Sequence, residues 1–423
     1  MNLKTEGMTT MPDSDKKVKI LCLPYSHTLS HISRPLAIAQ GLRRRGHEII
    51  FAGESSKTRY IRQEGFTVLP LHEPDPELLY GNIRSGKLCF VSDAEIERMI
   101  EADLALYREV KPDLVLSDGR FSAPLSTHIA GLKHAAIVNV SSTEYRALPY
   151  IPFFEQIPTG LIKRDSRLWR SLDSFNLWLE MLVFDNVMSI FKKLSRKLGL
   201  TTSITATNCL AGKDLTLLSD VPEYFPTRNL PANYHYIGPL TWKSASEAPA
   251  WWPPDKGDRP LIYITMGTTG IGDFFHTAYD LFKTSDMAAI VTTGGQAQGL
   301  ETIKGKLYLE NFIDGDLVMD ECDLVVCHGG NGTIYQALQH GKPIIGIPTI
   351  PDQQFNMRRV EALGIGRSLS WEEFSKKPTA LLDLIAEVLK DQSCQRSAIK
   401  FKDILAGYDA RRLAADIIEK ALM

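Results

Sequence analysis

Residues 324 to 339 leave the chain little freedom in how it folds. An apolar run, Leu324 to Val326, passes into His328-Gly329-Gly330-Asn331-Gly332-Thr333 and then into a segment whose apolar positions, Ile334, Ala337 and Leu338, fall at helical spacing. A buried strand, a glycine turn and an amphipathic helix in that order form one unit of an open α/β sheet. Such a turn has two uses. It can let a helix pack closely on its sheet, or it can hold an anion, because glycine admits close backbone approach and the first N–H groups of a helix are unpaired at the positive end of its dipole. In the second use His328 and the Thr333 hydroxyl add side-chain donors beside the backbone of Gly330 and Gly332. Glycine motifs alone do not decide between the two.

The next stretch favours the ligand. After a further strand, Pro343 to Ile347, and a loop with Pro348 and Pro351, come Asp352, Gln353 and Asn356. A carboxylate beside an amide, at the C-terminal end of a strand in an open sheet, stands where such folds bind ligands. Together the two side chains accept from and donate to a row of hydroxyls.

His-Gly-Gly-x-Gly-Thr, the Gly341 to Pro343 turn and Asp-Gln-x-x-Asn resemble the donor-site signature of the UDP-glycosyltransferases, which include plant secondary-metabolite and bacterial macrolide enzymes. Residues 327 to 366 carry the specific match, and a looser likeness runs from Val18 onward. The resemblance implies an α/β chain with the GT-B fold, two Rossmann-like domains facing across a cleft. It also implies an inverting, metal-independent transfer of a hexose, with glucose expected from UDP-glucose and dTDP-sugars as a further class of co-substrate. No cofactor is implied.

Length and charge agree with that architecture. A chain of 423 residues is too long for one ordinary core and suits two domains of ~200 residues each. Composition shifts place a tail at residues 1–17, a first domain at 18–240, a proline-rich linker at 241–260 and a second domain at 261–423, with the last helix expected to pack back on the first domain. A net charge of −2 provides no basic face for nucleic acid. Cys22, Cys89, Cys209, Cys322, Cys327 and Cys394 form no Cys-x-x-Cys pair, which points to packed thiols in a reducing, cytoplasmic setting rather than to disulfides or zinc. The first residues lack a signal peptide's apolar core, and no run approaches the ~20 apolar residues of a membrane span.

Catalytic groups are expected from the first domain. Residues 18 to 25 read as a buried strand, Arg34 to Arg45 as a helix and His47 to Ala52 as a second strand. The loop between the first two, Ser26 to His31, has no glycine to admit a pyrophosphate. In the resembled family a histidine in this loop, within Gly-His-x-x-Pro, is the general base. Here Ser30-His31-Ile32-Ser33-Arg34-Pro35 places His31 at that position, with serine for glycine and proline one residue later. His27 is the rival. An imidazole can take the proton of an attacking hydroxyl at neutral pH. Asp118, at the end of the strand 112–118, fits as the partner that orients His31, or else caps the segment after it. Another strand, Ala135 to Val140, leads to Ser141, Ser142 and Thr143 on the same side.

Three departures from the family bear on the donor. The loop after the strand 261–266 offers Thr268 to the phosphates, as the resemblance implies. Asp314-Gly315 replaces a usual Pro-Gln, which leaves base recognition to the Ile313 backbone. Gln336 stands eight residues after His328, where relatives place a ribose-binding glutamate, and Asn331 has no explanation at this level. The acceptor pocket falls in stretches 70–100 and 145–190, with Phe90, Tyr145, Phe153, Phe154 and Trp178 as linings for an apolar small molecule. A helix expected at 174–198, with Trp169, Trp178 and Phe184 near Lys163, Arg164, Arg167 and Arg170, is a packed helix with a basic shoulder, an acceptor wall or a surface for peripheral membrane contact. Two other functions share this pattern: a GT-B sugar-nucleotide epimerase, and a catalytically silent homologue serving as a binding or activator subunit.

Overall fold

The computed structural model describes residues 17–154, 161, 163, 166–201, 203–241, 247–267 and 271–422. Thr268, Arg164 and nearly all of the N-terminal tail lie outside the described residues.

In the first half the elements are β1 (Lys19–Pro24), α1 (Leu29–Arg44), β2 (Glu48–Ala52), α2 (Arg59–Gln63), β3 (Thr67–Leu69), α3 (Pro76–Arg84), α4 (Asp93–Val110), β4 (Leu114–Asp118), α5 (Ala123–Ala130), β5 (Lys133–Val138), α6 (Arg167–Val187), α7 (Ile190–Lys197), β6 (Leu215–Leu218) and β7 (Tyr234–Tyr236). The second half has β8 (Leu261–Thr265), α8 (Asp273–Thr284), β9 (Ala288–Thr292), β10 (Leu307–Glu310), α9 (Gly315–Glu321), β11 (Leu324–Cys327), α10 (Asn331–Gln339), β12 (Ile344–Gly346), α11 (Pro351–Ala362), β13 (Gly366–Ser368), α12 (Trp371–Lys376), α13 (Ala380–Lys390), α14 (Gln392–Ala406) and α15 (Ala410–Leu422).

The strands form two parallel sheets, ordered β3-β2-β1-β4-β5-β6-β7 and β10-β9-β8-β11-β12-β13. Strands such as β4, β6, β8 and β11 are buried along their whole length, as parallel strands covered on both faces must be. In each sheet the chain order reverses once, between β1 and β4 in the first and between β8 and β11 in the second. Ligands of open α/β sheets bind at such switch points, outside the carboxyl ends of the strands. The first switch point receives His31 and Asp118, and the second receives the His328 turn.

Three local expectations are corrected. Helix α1 begins at Leu29, so His31 lies in its first turn and not in a preceding loop. Pro35 misled the reading because proline favours a helix start. Inside α1 it leaves the His31 carbonyl without the usual helical donor, and full burial of Leu36, Ala37 and Ile38 holds the helix regardless. The helix expected at 174–198 is two helices, α6 and α7. The break at Met188 lets Met188, Ile190 and Phe191 enter one cluster with Ile96, Met99 and Leu125. Strand β5 stops at Val138, and Val140 to Ser142 form a turn of 3₁₀ helix. The described part of the linker is anchored: the Trp251 ring lies 4.7 Å from Tyr308 and its indole N–H donates to Glu310 at 2.7 Å.

Helix α15 packs against α1 and the first sheet, burying Ala410, Ala414, Ala415 and Ile418 there. Arg45 pairs with Asp416 at 2.7 Å and with Glu419 at 2.6 Å. All six cysteines are free thiols; Cys89 is exposed and the others are buried. Burial pushes the Cys327 thiol up to about 12. Among the described residues no helix is long and apolar enough to cross a membrane.

Candidate active site

One wall of the candidate site grows out of the first switch point. Register pairs Pro24 with Asp118, so the chain leaving β1 turns into α1 directly over the end of β4. His31 Nδ1 lies 2.6 Å from Asp118 Oδ1. A carboxylate only accepts, so Nδ1 carries the hydrogen and Nε2 holds the lone pair. The imidazole is 28% exposed and Asp118 only 1%, which leaves the ring reachable from the cleft and its orienting carboxylate out of water. His27 is not part of this wall; its ring lies against Tyr25 at 5.4 Å.

Arg34 was not foreseen. Its Nε donates to Asp118 Oδ2 at 2.8 Å and its Nη2 to Oδ1 at 2.6 Å, a two-point ion pair on the same carboxylate. Its Nη1 donates to Asn139 Oδ1. Positions 31 and 34 share a face of α1, so the signal was present, but it required the correct helix start.

The second switch point supplies the cradle. Gly330 caps α10 and no side chain caps that helix, so its first N–H groups face the cleft beside Asn331, Gly332 and Thr333. The His328 ring sits between two glycines: a Cβ on Gly267 would stand 2.5 Å from its Cε1, and one on Gly330 would stand 2.5 Å from its Nε2. Only glycine fits on either side. Burial lowers the His328 pKa to about 4, and its Nδ1 is buried without a partner among the described residues. His328 is therefore a neutral donor. Without a charge on this ring, positive potential at the turn comes from the helix N-terminus.

Asp352 lies in the first turn of α11. It accepts from Tyr150 Oη at 3.3 Å and from Asn356 Nδ2 at 3.4 Å. Burial raises its pKa, while the nearby His31 and Arg34 act in the opposite direction. Asp352, His31 and Arg34 line one cavity. Gln353 is buried, and its Oε1 accepts from the N–H and the hydroxyl of Thr349 at 2.8 and 3.1 Å. Ile313 is buried at the cavity wall.

Two donor-side residues have partners that the sequence did not show. Asn331 Nδ2 donates across the domain boundary to Asp220 at 3.2 Å, so its amide is held by the first domain and is not free to serve the phosphates alone. Gln336 Nε2 donates to Asp316 at 2.8 Å. The glutamine therefore has a carboxylate for a neighbour, which its own position in the sequence did not reveal.

One cavity of about 940 Å³ touches both walls: His31, Arg34 and Asn139 on one side, His328, Gly330, Asn331, Gly332, Thr333, Gln336, Asp352 and Gln353 on the other. Its far end is apolar, with Leu79, Ile83, Phe90, Phe121, Phe153 and Phe184. Phe90 stacks on Phe184 with ring centroids 6.0 Å apart. The other expected linings lie elsewhere: Tyr145 packs on Tyr234 at 5.0 Å, Trp178 is exposed beside Phe175, and Trp169 is buried away from the cavity. Phe154 is also outside the wall. Tyr80, which shares a hydrogen bond with Thr28 at 2.5 Å, falls in the 70–100 stretch without having been named, and Phe121 lies outside both stretches.

Comparison with known proteins agrees with this geometry. Residues 280–419 match the family model described as erythromycin biosynthesis protein CIII-like, C-terminal domain. The chain is 29% identical over 407 residues to a PGL/p-HBAD biosynthesis rhamnosyltransferase of Mycobacterium bovis, covering 94% of this chain and 87% of that protein. It is 31% identical over 277 residues to an inactive PGL/p-HBAD biosynthesis glycosyltransferase of the same species, covering 62% of this chain and 72% of that one. Among solved structures, the glycotransferase of kitacinnamycin superposes with a TM-score of 0.71 at 19% identity, covering 96% of this chain and 100% of that one. Spinosyn rhamnosyltransferase SpnG complexed with thymidine diphosphate superposes at 0.67 with 17% identity, covering 95% and 100%. Two parallel Rossmann-like sheets facing across a cleft, the signature cradle at the second switch point and these likenesses together place the chain in glycosyltransferase family 1, the UDP-glycosyltransferase family of GT-B enzymes.

Proposed function

We propose that this protein transfers a hexosyl or deoxyhexosyl unit from a nucleoside-diphosphate sugar to a hydroxyl of an apolar small molecule, with inversion and without a metal. One observation carries the reading: an oriented imidazole and a phosphate cradle face each other across a single cavity whose far end is apolar. His31 Nε2 takes the proton of the acceptor hydroxyl as its oxygen attacks the anomeric carbon, while Asp118 holds the ring and stabilises the imidazolium that forms. The bond to the nucleoside diphosphate breaks on the opposite face of the sugar, so one displacement inverts the centre. The departing diphosphate is received by His328, Thr333 and the first N–H groups of α10, donors aimed at developing charge. Asp352 and Gln353 take the sugar hydroxyls.

For the donor, the expectation of glucose is widened. One relative is named a rhamnosyltransferase, and one structural neighbour, also a rhamnosyltransferase, is complexed with thymidine diphosphate. Gln336, tied to Asp316, supports tolerance of both UDP and dTDP. One relative is named an inactive glycosyltransferase; the His31–Asp118 pair and the glycine turn on one cavity favour an active transferase over a silent homologue here.

Purified protein incubated with UDP-glucose, dTDP-glucose or dTDP-rhamnose and a panel of phenolic, polyketide and lipid alcohols tests the reading by mass spectrometry. The expected result is a product heavier by one hexosyl or deoxyhexosyl unit, with nucleoside diphosphate released and no change on adding EDTA. Conversion of the donor sugar into its epimer without transfer would replace this reading with the epimerase.

A further inference from the structure

Asp220 follows β6 in the first domain, is fully buried and has no part of its own in the proposed chemistry. Both its oxygens are nonetheless saturated by donors from the two halves of the molecule. Oδ1 accepts from Tyr335 Oη at 2.9 Å and from Asn331 Nδ2 at 3.2 Å, both on α10. Oδ2 accepts from the Val140 N–H at 2.6 Å and from Asn139 Nδ2 at 3.3 Å. Asn139 Oδ1 in turn accepts from Arg34, which clamps Asp118, which holds His31. An unbroken series of direct hydrogen bonds therefore runs from the imidazole to the first turn of the cradle helix, crossing the domain boundary at Asp220.

We propose that Asp220 is a positioning residue for sugar transfer: through Asn139 and Arg34 on one side, and Asn331 and Tyr335 on the other, it holds the phosphate cradle in register with the His31 base. The inference rests on the reading of the site as a glycosyltransferase centre. Its physical basis is that base and donor are carried by different domains, and a displacement of ~1 Å between reacting groups can cost ~10²-fold in rate.

A carboxylate chosen for stability alone would not sit here. Burial pushes the Asp220 pKa up to about 6 despite the opposing hydrogen bonds from Val140, Tyr335 and Asn139 and the Arg34 charge. Ionised Asp220 is therefore a net cost to the fold at neutral pH. What the ionised form provides is acceptance of four donors, two from each domain, which no neutral side chain of this size can match. An amide would turn one oxygen into a donor facing Tyr335 and Asn331 or facing Val140 and Asn139.

The test compares wild type with Asp220→Asn and Asn139→Ala. Release of nucleoside diphosphate from UDP-glucose and dTDP-rhamnose is followed in water, which needs no identified acceptor, and again with whichever acceptor supports transfer. UDP and dTDP binding is measured by calorimetry. Expected are a fall in kcat of ~10-fold or more in both variants, nucleotide Kd values within ~3-fold of wild type and an undiminished melting temperature. A purely structural role predicts instead that Asp220→Asn loses activity and melting temperature together while Asn139→Ala keeps its kcat, and that result overturns the proposal. Should Asp220→Asn fail to fold, Asn139→Ala decides alone, because it breaks the series between Asp220 and Arg34 while leaving Val140, Tyr335 and Asn331 on Asp220; a wild-type kcat there overturns the proposal as well. Failure of the wild type to release nucleotide from any sugar donor would sink the glycosyltransferase reading itself, a different outcome from equal rates in all three proteins.

Discussion

Around His31 each catalytic side chain already has its partner: imidazole on carboxylate, carboxylate on guanidinium, guanidinium on the Asn139 amide. Across the cleft, His328 Nδ1, Asn331 Oδ1 and Asn356 Oδ1 are buried and lack a partner among the described residues, and α10 has no capping side chain. Buried polar atoms cost free energy unless hydrogen-bonded, so the two walls differ in where their stability comes from. The His31 cluster is organised by the protein itself, although Arg146 Nε elsewhere on the first-domain lining is also buried without a partner among the described residues. The three unpartnered atoms across the cleft are ones that a ligand rich in hydroxyls and phosphate oxygens would satisfy. Changes on the first wall should therefore act on the chemical step, and changes on the second on binding.

The sharpest break of that contrast is His31→Ala and Asp118→Asn. Each is expected to lower kcat by ~10²-fold or more, the range of general acid–base catalysis, with nucleoside diphosphate Kd within ~2-fold of wild type. Steady-state kinetics beside calorimetry checks both numbers. A wild-type rate in the His31 variant would dismiss His31 as the base.

On the donor wall, His328→Ala is expected to weaken nucleoside diphosphate binding by ~10-fold or more, because a hydrogen bond to a charged group contributes about 1.5–3 kcal/mol. It should also slow transfer as the leaving group gains charge. The His328 pKa is lowered to about 4 by burial, so the ring is neutral at every pH above about 5. Its share of binding, measured as the wild-type-to-variant ratio of Kd, should stay flat from pH 6 to 8. A ratio that grows as pH falls through the ordinary histidine range near 6.5 would mean a cation after all.

Legibility followed the same division. The cradle, Asp352, Gln353, His31 and Asp118 could be read because local patterns carry them: glycines beside a strand, a carboxylate at a strand end. The residues joining the walls could not. Asp220 and Asn331 are 111 positions apart and Arg34 and Asn139 are 105 apart, and no local pattern announces such pairings. Asn331, unexplained in the sequence, makes sense only once Asp220 is beside it. The start of α1 was misplaced by Pro35, because a helix-start preference was outweighed by burial of the residues around it.

A smaller effect sharpens the status of Asp220 as the link between the walls. Its folded pKa of about 6 stands above the ordinary carboxylate value near 3.9. Between those values the folded state binds more protons than the unfolded one, so this group's contribution to stability grows as pH falls through 6 and is lost as pH rises through it. Arg34, Tyr224, Tyr236 and Tyr335 are the charged and titratable groups that face it. Measured by calorimetric melting, wild type should gain on Asp220→Asn by a few °C between pH 7 and pH 5. A gap independent of pH would show that Asp220 does not titrate there.

The smallest expected effect concerns the choice of nucleotide, and it turns on Gln336. A glutamate at this position can accept from both ribose hydroxyls and so favours UDP over dTDP, whereas a glutamine accepts through one oxygen only. One hydrogen of the Gln336 amide is given to Asp316 at 2.8 Å, which leaves the ribose one uncharged oxygen and the second N–H where a glutamate would offer two charged oxygens. The expected preference for UDP-sugar over the matching dTDP-sugar is below ~10-fold, the factor that about 1.4 kcal/mol sets. Asp316 also changes what a simple reversion should do. Gln336→Glu would place a second carboxylate against Asp316, and like charges at that distance raise one pKa and keep that group protonated. The single variant is therefore expected to bind both nucleotides more weakly without gaining selectivity. Pairing it with Asp316→Asn supplies an amide donor to the introduced carboxylate, and the UDP preference should then rise by ~10-fold. Competition between UDP-glucose and dTDP-glucose in the four proteins measures each step. A wild type that already rejects the dTDP-sugar by ~10³-fold, a level that unpaired buried groups can reach, would show that ribose is read by residues other than Gln336.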